Sequence, residues 1–179
     1  MSQEEVTTRD RILNALQRVL FEEGGSGVTL EKVAAEAGVS KGGLLYHFKS
    51  KTDLFDGLAR RYRHLEERRI AEARRSGVVE AFLRASEIES PESAAGLWTL
   101  MTALRGREEM SETAREDVLF IFNGWAEAIH DQLDDPVTAE IVRLVGDGLF
   151  LSAVSGAPVP GPEVTERILD RLKEAAGEG

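Results

Sequence analysis

The chain has no cysteine, few aromatic residues (6%) and no long apolar run in its 179 residues. Without cysteine there is no disulfide, no thiolate metal ligand and no cysteine nucleophile. A bilayer-spanning helix needs roughly 20 predominantly apolar residues, and no such stretch occurs. The opening residues, MSQEEVTTRDR, lack the apolar core of a secretory signal, so a cytoplasmic location is expected. Signatures of catalysis are missing too. The three histidines, His47, His64 and His130, fall on separate predicted helices. There is no HExxH or CxxC pairing, no phosphate loop with Gly-Lys-Ser/Thr and no nucleophile elbow. His64 with Glu66 and Glu67 lies on a charged helical face and reads as solvated. No enzyme, no metal and no cofactor are expected.

Positive charge is scarce overall, with a formal net charge of −10, but the deficit is uneven. Residues 1–64 carry ten Lys and Arg against nine Asp and Glu, whereas residues 65–179 carry twelve against twenty-three. An acidic surface repels a phosphate backbone, so any contact with nucleic acid must come from the first sixty-odd residues.

What is present is helical periodicity nearly everywhere. Ile12, Leu16, Val19 and Leu20 share one face of a first helix, capped by Thr8 and stopped by the Gly24-Gly25-Ser26-Gly27 run. A second helix starts at Thr29, carries Leu30, Val33, Ala34 and Ala37 on one side, and ends at Gly38, where a positive φ is expected. Ser40 caps a short third helix running to about Phe48. A fourth, with Leu54, Phe55, Leu58, Tyr62 and Leu65 as its stripe, runs from Ser50 or Lys51 to about Arg75. Later stripes include Val118/Ile121/Phe122/Trp125/Ile129, Val137/Ile141/Leu144/Val145/Leu149 and Val164/Ile168/Leu172, with breaks at Ser90-Pro91, Asp135-Pro136 and residues 156–162. No segment alternates with period two long enough to make a strand. The expected fold is all-α, about nine helices, in two domains: residues 1–53 and residues 54–179.

The stretch VAAEAGVSKGGLLYHFKSK, residues 33–51, poses a specific problem. Glycine in a helix costs about 1 kcal/mol relative to alanine, yet Gly42 and Gly43 open the short third helix. Residues 29–48 have helix-turn-helix spacing: Ala34 lies four before the turn glycine and allows a close crossing, and Leu44 lies six after it and pins the third helix to the core. At a surface lying against DNA, absent side chains let helix-start N–H groups approach a phosphate or base edge. Thr29, Ser40, Tyr46, His47, Lys49 and Lys51 can each donate to a phosphate, and Lys41 stands at the front of the helix. The alternative is a capped helix stub with solvated lysines. Ala34–Gly38–Leu44 and the charge asymmetry weigh against it.

The stretch RDRILNALQRVLFEEGGSGVTLEKVAAEAGVSKGGLLYHFKSKTDLF resembles the N-terminal domain of the tetracycline-repressor (TetR) family of bacterial transcriptional regulators, over roughly a third of the chain. The resemblance implies a three-helix domain that binds a palindromic double-stranded DNA operator, with C-terminal helices that dimerise and enclose a small-molecule effector. It places Thr29, Ser40, Lys41, Gly42, Gly43, Tyr46, His47 and Lys51 where family members contact DNA. The family often has Tyr at the position of Leu45. Here Tyr46 follows instead, so either Tyr46 takes over the phosphate contact, or it faces the groove and Leu45 packs against a thymine methyl.

Beyond about residue 77 no specific motif occurs. The resemblance implies that helices near 111–134 and 136–155 pair across a homodimer. Gly146, Gly148, Leu149, Ser152, Ala153 and Gly156 then form the candidate interface, the small residues among them permitting close packing. Candidates for an apolar effector pocket are Phe82, Trp98, Met101, Leu104, Phe120, Trp125 and Phe150, with His130 and Asp147 as orienting polar groups; core packing and surface exposure are the competing roles. The overall expectation is a homodimeric, ligand-responsive repressor. The competing class is a helical protein-interaction module that no longer binds DNA.

Overall fold

The computed structural model describes residues 7–87, 90–104 and 110–177. Among these residues there are nine α-helices and no strand: α1 (Thr8–Gly27), α2 (Leu30–Ala37), α3 (Lys41–His47), α4 (Lys51–Ser76), α5 (Val78–Ala85), α6 (Pro91–Ala103), α7 (Glu112–Gln132), α8 (Pro136–Ser155) and α9 (Pro162–Ala176). Contacts divide the chain into two units: Met1–Tyr62 with Ser90–Val118, and Arg63–Glu89 with Leu119–Gly179. Both α4 and α7 contribute residues to each.

In the first unit, Thr7 rather than Thr8 caps α1, accepting from the Asp10 N–H at 3.1 Å while Asp10 accepts from the Thr7 N–H in return, a reciprocal box that satisfies two orphan donors. The glycine run breaks α1 as expected: Gly24 leaves helical geometry at φ 70° and ψ 178°, and a single further turn runs to Gly27. Ile12, Leu13, Leu16, Val33, Leu44, Phe48, Leu54, Phe55 and Leu58 are sealed from solvent and form the core. α6 packs on α1 beside a polar relay from α4. The Tyr62 hydroxyl donates to the Ser93 carbonyl at 2.8 Å and accepts from Gln17 Nε2 at 2.6 Å. The neighbouring Arg61 donates to Asn14 Oδ1 at 2.7 Å and to Gln17 Oε1. Burial holds the Arg61 guanidinium below its ordinary pKa, because desolvation disfavours the charged form.

In the second unit, α7 and α8 build a core with α4, α5 and α9. Its members include Ile70, Val78, Val79, Phe82, Leu83, Trp125, Ile129, Leu133, Val142, Leu169 and Leu172. Gly146 lets α8 approach α5: a Cβ there would lie 2.3 Å from Phe82 Cε1 and 2.8 Å from Ser86 Oγ. One polar pair is enclosed, Trp125 Nε1 donating to Glu66 Oε2 at 2.8 Å. No helix among the described residues is long and apolar enough to cross a membrane.

Candidate nucleic-acid interface

The helix-turn-helix is built by local rules. Thr29 caps α2, accepting from the Lys32 N–H at 3.2 Å, and Gly38 ends it at φ 65°, its N–H returning to Ala34 and Ala35. Ser40 caps α3 by accepting from the Gly43 N–H at 3.0 Å. Both cap hydroxyls use their oxygen as acceptor, so each keeps its O–H proton to donate outward. Leu44 is fully buried and fixes α3 to the core. The helix therefore exposes a defined remaining face.

The two glycines differ in their surroundings. A Cβ at Gly43 would crowd Ser40 Oγ at 3.3 Å, so this glycine serves the cap. A Cβ at Gly42 would meet only Ser40 Oγ at 4.0 Å, and no intramolecular contact demands glycine there. Tyr46 is 85% exposed, with its ring edge-on to His47 at 5.1 Å. A tyrosine so exposed buries nothing, and its hydroxyl and ring face are free for a partner. Leu45 is half-buried beside it.

The cations fall into two groups. Lys51 points inward: its ammonium donates to the Gly25 carbonyl at 2.8 Å and lies 5.6 Å from the Phe55 ring. That ties α4 to the end of α1 and gives Lys51 a structural task. Lys41 pairs with Glu31 at 2.6 Å, and Lys49 is exposed. Glu31, whose role was not anticipated from sequence, is held below the ordinary carboxylate range by its hydrogen bond from Lys41.

The nine residues expected to line an effector pocket are shared between the two units. Trp98, Met101 and Leu104 belong to the first unit, and the other six to the second. Phe82 and Trp125 fill the core, their rings tilted at 5.5 Å. Phe120 lies under the Arg63 guanidinium at 4.5 Å, and Phe150 is half-buried. His130 is hydrogen-bonded to Glu140 at 2.8 Å, and Asp147 is paired with Arg143 at 2.7 Å; burial raises the Asp147 pKa. The second unit instead has a cleft of about 440 Å³ between the end of α5, the inner face of α8 and the start of α9. Leu149, Ala153, Val159 and Pro160 give it apolar walls, and Arg84, Glu87 and Glu166 line its polar edge. Arg84 grips Glu166 with both terminal nitrogens, at 2.7 and 2.9 Å.

The interface expected on the small residues of α8 also divides. Gly146 is consumed by Phe82, and Leu149 and Ala153 line the cleft, so these three face their own subunit. Gly156 takes φ 74° and caps the helix; Ser152 is half-buried. Within the helix, Gly148 opens outward, with nothing within 4 Å of an added Cβ, as is also true of Gly156 at its end. Gly148 shares its face with Val137, Ile141, Leu144 and Leu151, which are 47–63% exposed. The helix at 111–134, expected at the interface, lends buried residues to both units through α7, including Val118, Ile121, Trp125 and Ile129.

A helical protein with a capped helix-turn-helix in its first unit is the class that these features define. The chain matches the family model "Bacterial regulatory proteins, tetR family" over residues 12–58. It also matches "Tetracyclin repressor-like, C-terminal domain" over residues 76–177, more than half its length. The chain belongs to the TetR family, whose members are DNA-binding regulators rather than enzymes. Among curated relatives, it is 36% identical over 72 residues to the HTH-type transcriptional repressor BepR of Brucella suis biovar 1 (strain 1330), covering 40% of this chain and 34% of that protein. To the HTH-type transcriptional regulator AcrR of Shigella flexneri it is 42% identical over 53 residues, 30% of this chain and 25% of that one. These matches thus span about a third or less of the relatives' length. The multidrug binding protein EbrR, solved with malachite green, shares the fold with a TM-score of 0.65 at 23% identity, covering 92% of this chain and 96% of the other.

Proposed function

We propose that the protein is a sequence-specific transcriptional repressor that binds a palindromic DNA operator as a homodimer and is released by a small, mainly apolar ligand. The observation that carries the reading is α3: a helix pinned by the buried Leu44 that leaves Tyr46 almost wholly in solvent beside His47, with the Thr29 and Ser40 hydroxyls free to donate outward. Such groups position a protein on phosphates and read base edges. One helix of seven residues makes too few contacts for useful specificity, so two copies reading half-sites one helical turn apart are required.

Support for a second copy comes from α8. Val137, Ile141, Leu144, Gly148 and Leu151 recur at four- and three-residue steps and leave one apolar stripe uncovered, the spacing of a helix–helix seam. Support for an effector comes from the α5–α8–α9 cleft, whose volume falls in the usual range for small-molecule sites and whose lining is mainly apolar. A ligand shifts the DNA-bound population only by its differential affinity for the two states.

The test is selection of bound duplexes from a random pool, followed by binding at two salt concentrations. Recovery of an inverted repeat, with affinity falling steeply as salt rises, is the expected result. Failure to enrich any sequence at low salt would sink the DNA-reading function and favour a helical protein-interaction module.

A further inference from the structure

We propose that Glu31 is an internal competitor for DNA: its carboxylate holds the Lys41 ammonium in an ion pair that binding must exchange for a phosphate or base acceptor, and it thereby sets the affinity and salt dependence of the reading head. The inference rests on the DNA-binding reading of α2 and α3.

Most cations of this head are already committed. Arg11 donates to the Ala37 carbonyl at 2.9 Å, Arg18 pairs with Glu36 at 2.5 Å, Lys32 pairs with Glu23, and Lys51 donates to the Gly25 carbonyl. Around the third helix this leaves the Lys41 and Lys49 ammonium groups exposed, together with the Arg9 guanidinium over Phe48 at 5.0 Å, and Lys41 is neutralised by Glu31. With so few positive charges presented, one carboxylate decides a large share of the electrostatic attraction.

The geometry makes the pair an exchangeable one. Glu31 sits on the first turn of α2 and Lys41 on the first turn of α3. Their side chains are 63% and 58% exposed, so neither is packed in place. Exposed pairs of this kind contribute little to folding, and the helix termini have their own side-chain caps in Thr29 and Ser40. Exchanging the pair for a DNA contact leaves the fold intact, and replacing Glu31 by a neutral residue raises the net charge of the face that approaches DNA by one.

The test compares wild type with Glu31→Gln, Lys41→Gln and the double variant, by fluorescence anisotropy on one operator duplex from the selection and one scrambled duplex, between 50 and 200 mM salt. Circular dichroism checks that each variant is folded. Glu31→Gln should bind both duplexes about fivefold more tightly, with a log–log salt slope steeper by roughly one. Lys41→Gln should bind more weakly with a shallower slope, and adding Glu31→Gln to it should change affinity by less than about twofold. Unchanged or weaker binding by Glu31→Gln overturns the inference. So does an equal gain in the Lys41→Gln background, since the carboxylate would then act by general repulsion. Wild type binding no duplex at low salt would overturn the DNA reading and this inference together; wild type binding with Glu31→Gln unaltered would overturn this inference alone.

Discussion

Replacing Glu66 tests the enclosed polar pair of the second unit. Its Oε2 accepts from Trp125 Nε1 at 2.8 Å, and its Oε1 accepts from Arg69 at 3.0 Å. Glu66 is 8% exposed and Trp125 4%, so water has little access to the indole N–H once the carboxylate is gone. A hydrogen bond to a charged group contributes about 1.5–3 kcal/mol net, and truncation to alanine also removes side-chain packing worth about 0.8 kcal/mol per buried methylene. Relief of the cost of holding a carboxylate in the interior offsets part of this. Glu66→Ala should therefore destabilise by about 2–4 kcal/mol. Glu66→Gln keeps an oxygen facing the indole and should cost about 1 kcal/mol or less. Urea unfolding at fixed protein concentration, followed by far-ultraviolet circular dichroism and tryptophan fluorescence, measures both. A Glu66→Ala loss under about 1 kcal/mol, or a Glu66→Gln loss as large as that of alanine, would refute the reasoning. A cycle with Trp125→Phe isolates the pair, with an expected coupling of about 0.5–3 kcal/mol.

Four other outcomes are expected. Gly38→Ala should lose about 1–2 kcal/mol in thermal unfolding, because φ is 65° there and an L side chain is strained in that region; Gly38→Asn should lose less. Leu144→Lys should shift the proposed dimer to monomer in sedimentation, since Leu144 is 59% exposed on the α8 stripe and its loss leaves protomer packing intact. Gly146→Ala and Gly148→Ala should separate in urea unfolding of the Leu144→Lys background: the first drives a Cβ into Phe82 and costs about 1–3 kcal/mol, while the second meets open space and gains up to about 1 kcal/mol of helix propensity. Acid should destabilise the fold. Hydrogen bonds from Arg63, Lys173, Arg143 and Arg84 hold Glu67, Glu80, Glu140 and Glu166 below the ordinary carboxylate range. Depressed folded-state values give stability that is present above the unfolded carboxylate pKa and lost as pH falls through the folded one. Glu31 and Asp135 are lowered as well; Asp147, raised by burial, acts in the opposite sense but is one group against six, so melting temperature should be flat near neutrality and fall below about pH 4.

The reading head was legible in sequence because its signals are local. Gly38 has to take a positive φ, Thr29 and Ser40 have to cap, and Leu44 has to face inward, each within a few residues of what determines it. Interactions over longer separation were not legible. Lys51 looks from sequence like one more phosphate donor, yet the kink at Gly24 leaves the Gly25 carbonyl 2.8 Å from its ammonium. Glu31 looks like a helix-start acid, and only the turn at Gly38 shows that it meets Lys41. Helix limits held to a residue or two wherever proline or a cap marked them, as at Ser90-Pro91 and Asp135-Pro136. The glycine run does break the first helix, at Gly24 with φ 70° and ψ 178°, and what sequence did not show is the short helical turn that follows to Gly27.

In α8 the difficulty is different in kind. Glycine at 146 and glycine at 148 are indistinguishable as letters, and small residues permit close packing on whichever face they occupy. What separates them is the phase of the apolar residues around them. Ala139, Val142 and Gly146 are buried together, whereas Val137, Ile141, Leu144, Gly148 and Leu151 follow one another at four- and three-residue steps on the open side. A helix apolar on two faces has to cover both, and within one subunit only one is covered. The branched residues of the open side, rather than the small ones of the inner side, therefore carry the argument for a second copy. That same inner face continues past Gly146 through Leu149, which still packs on the core, and Ala153 into the cleft, where α5 ends at Ala85 and leaves Arg84 on the polar edge. One helix thus offers opposite walls to the two proposed tasks, pairing and ligand binding, and a substitution on one wall should leave the other working.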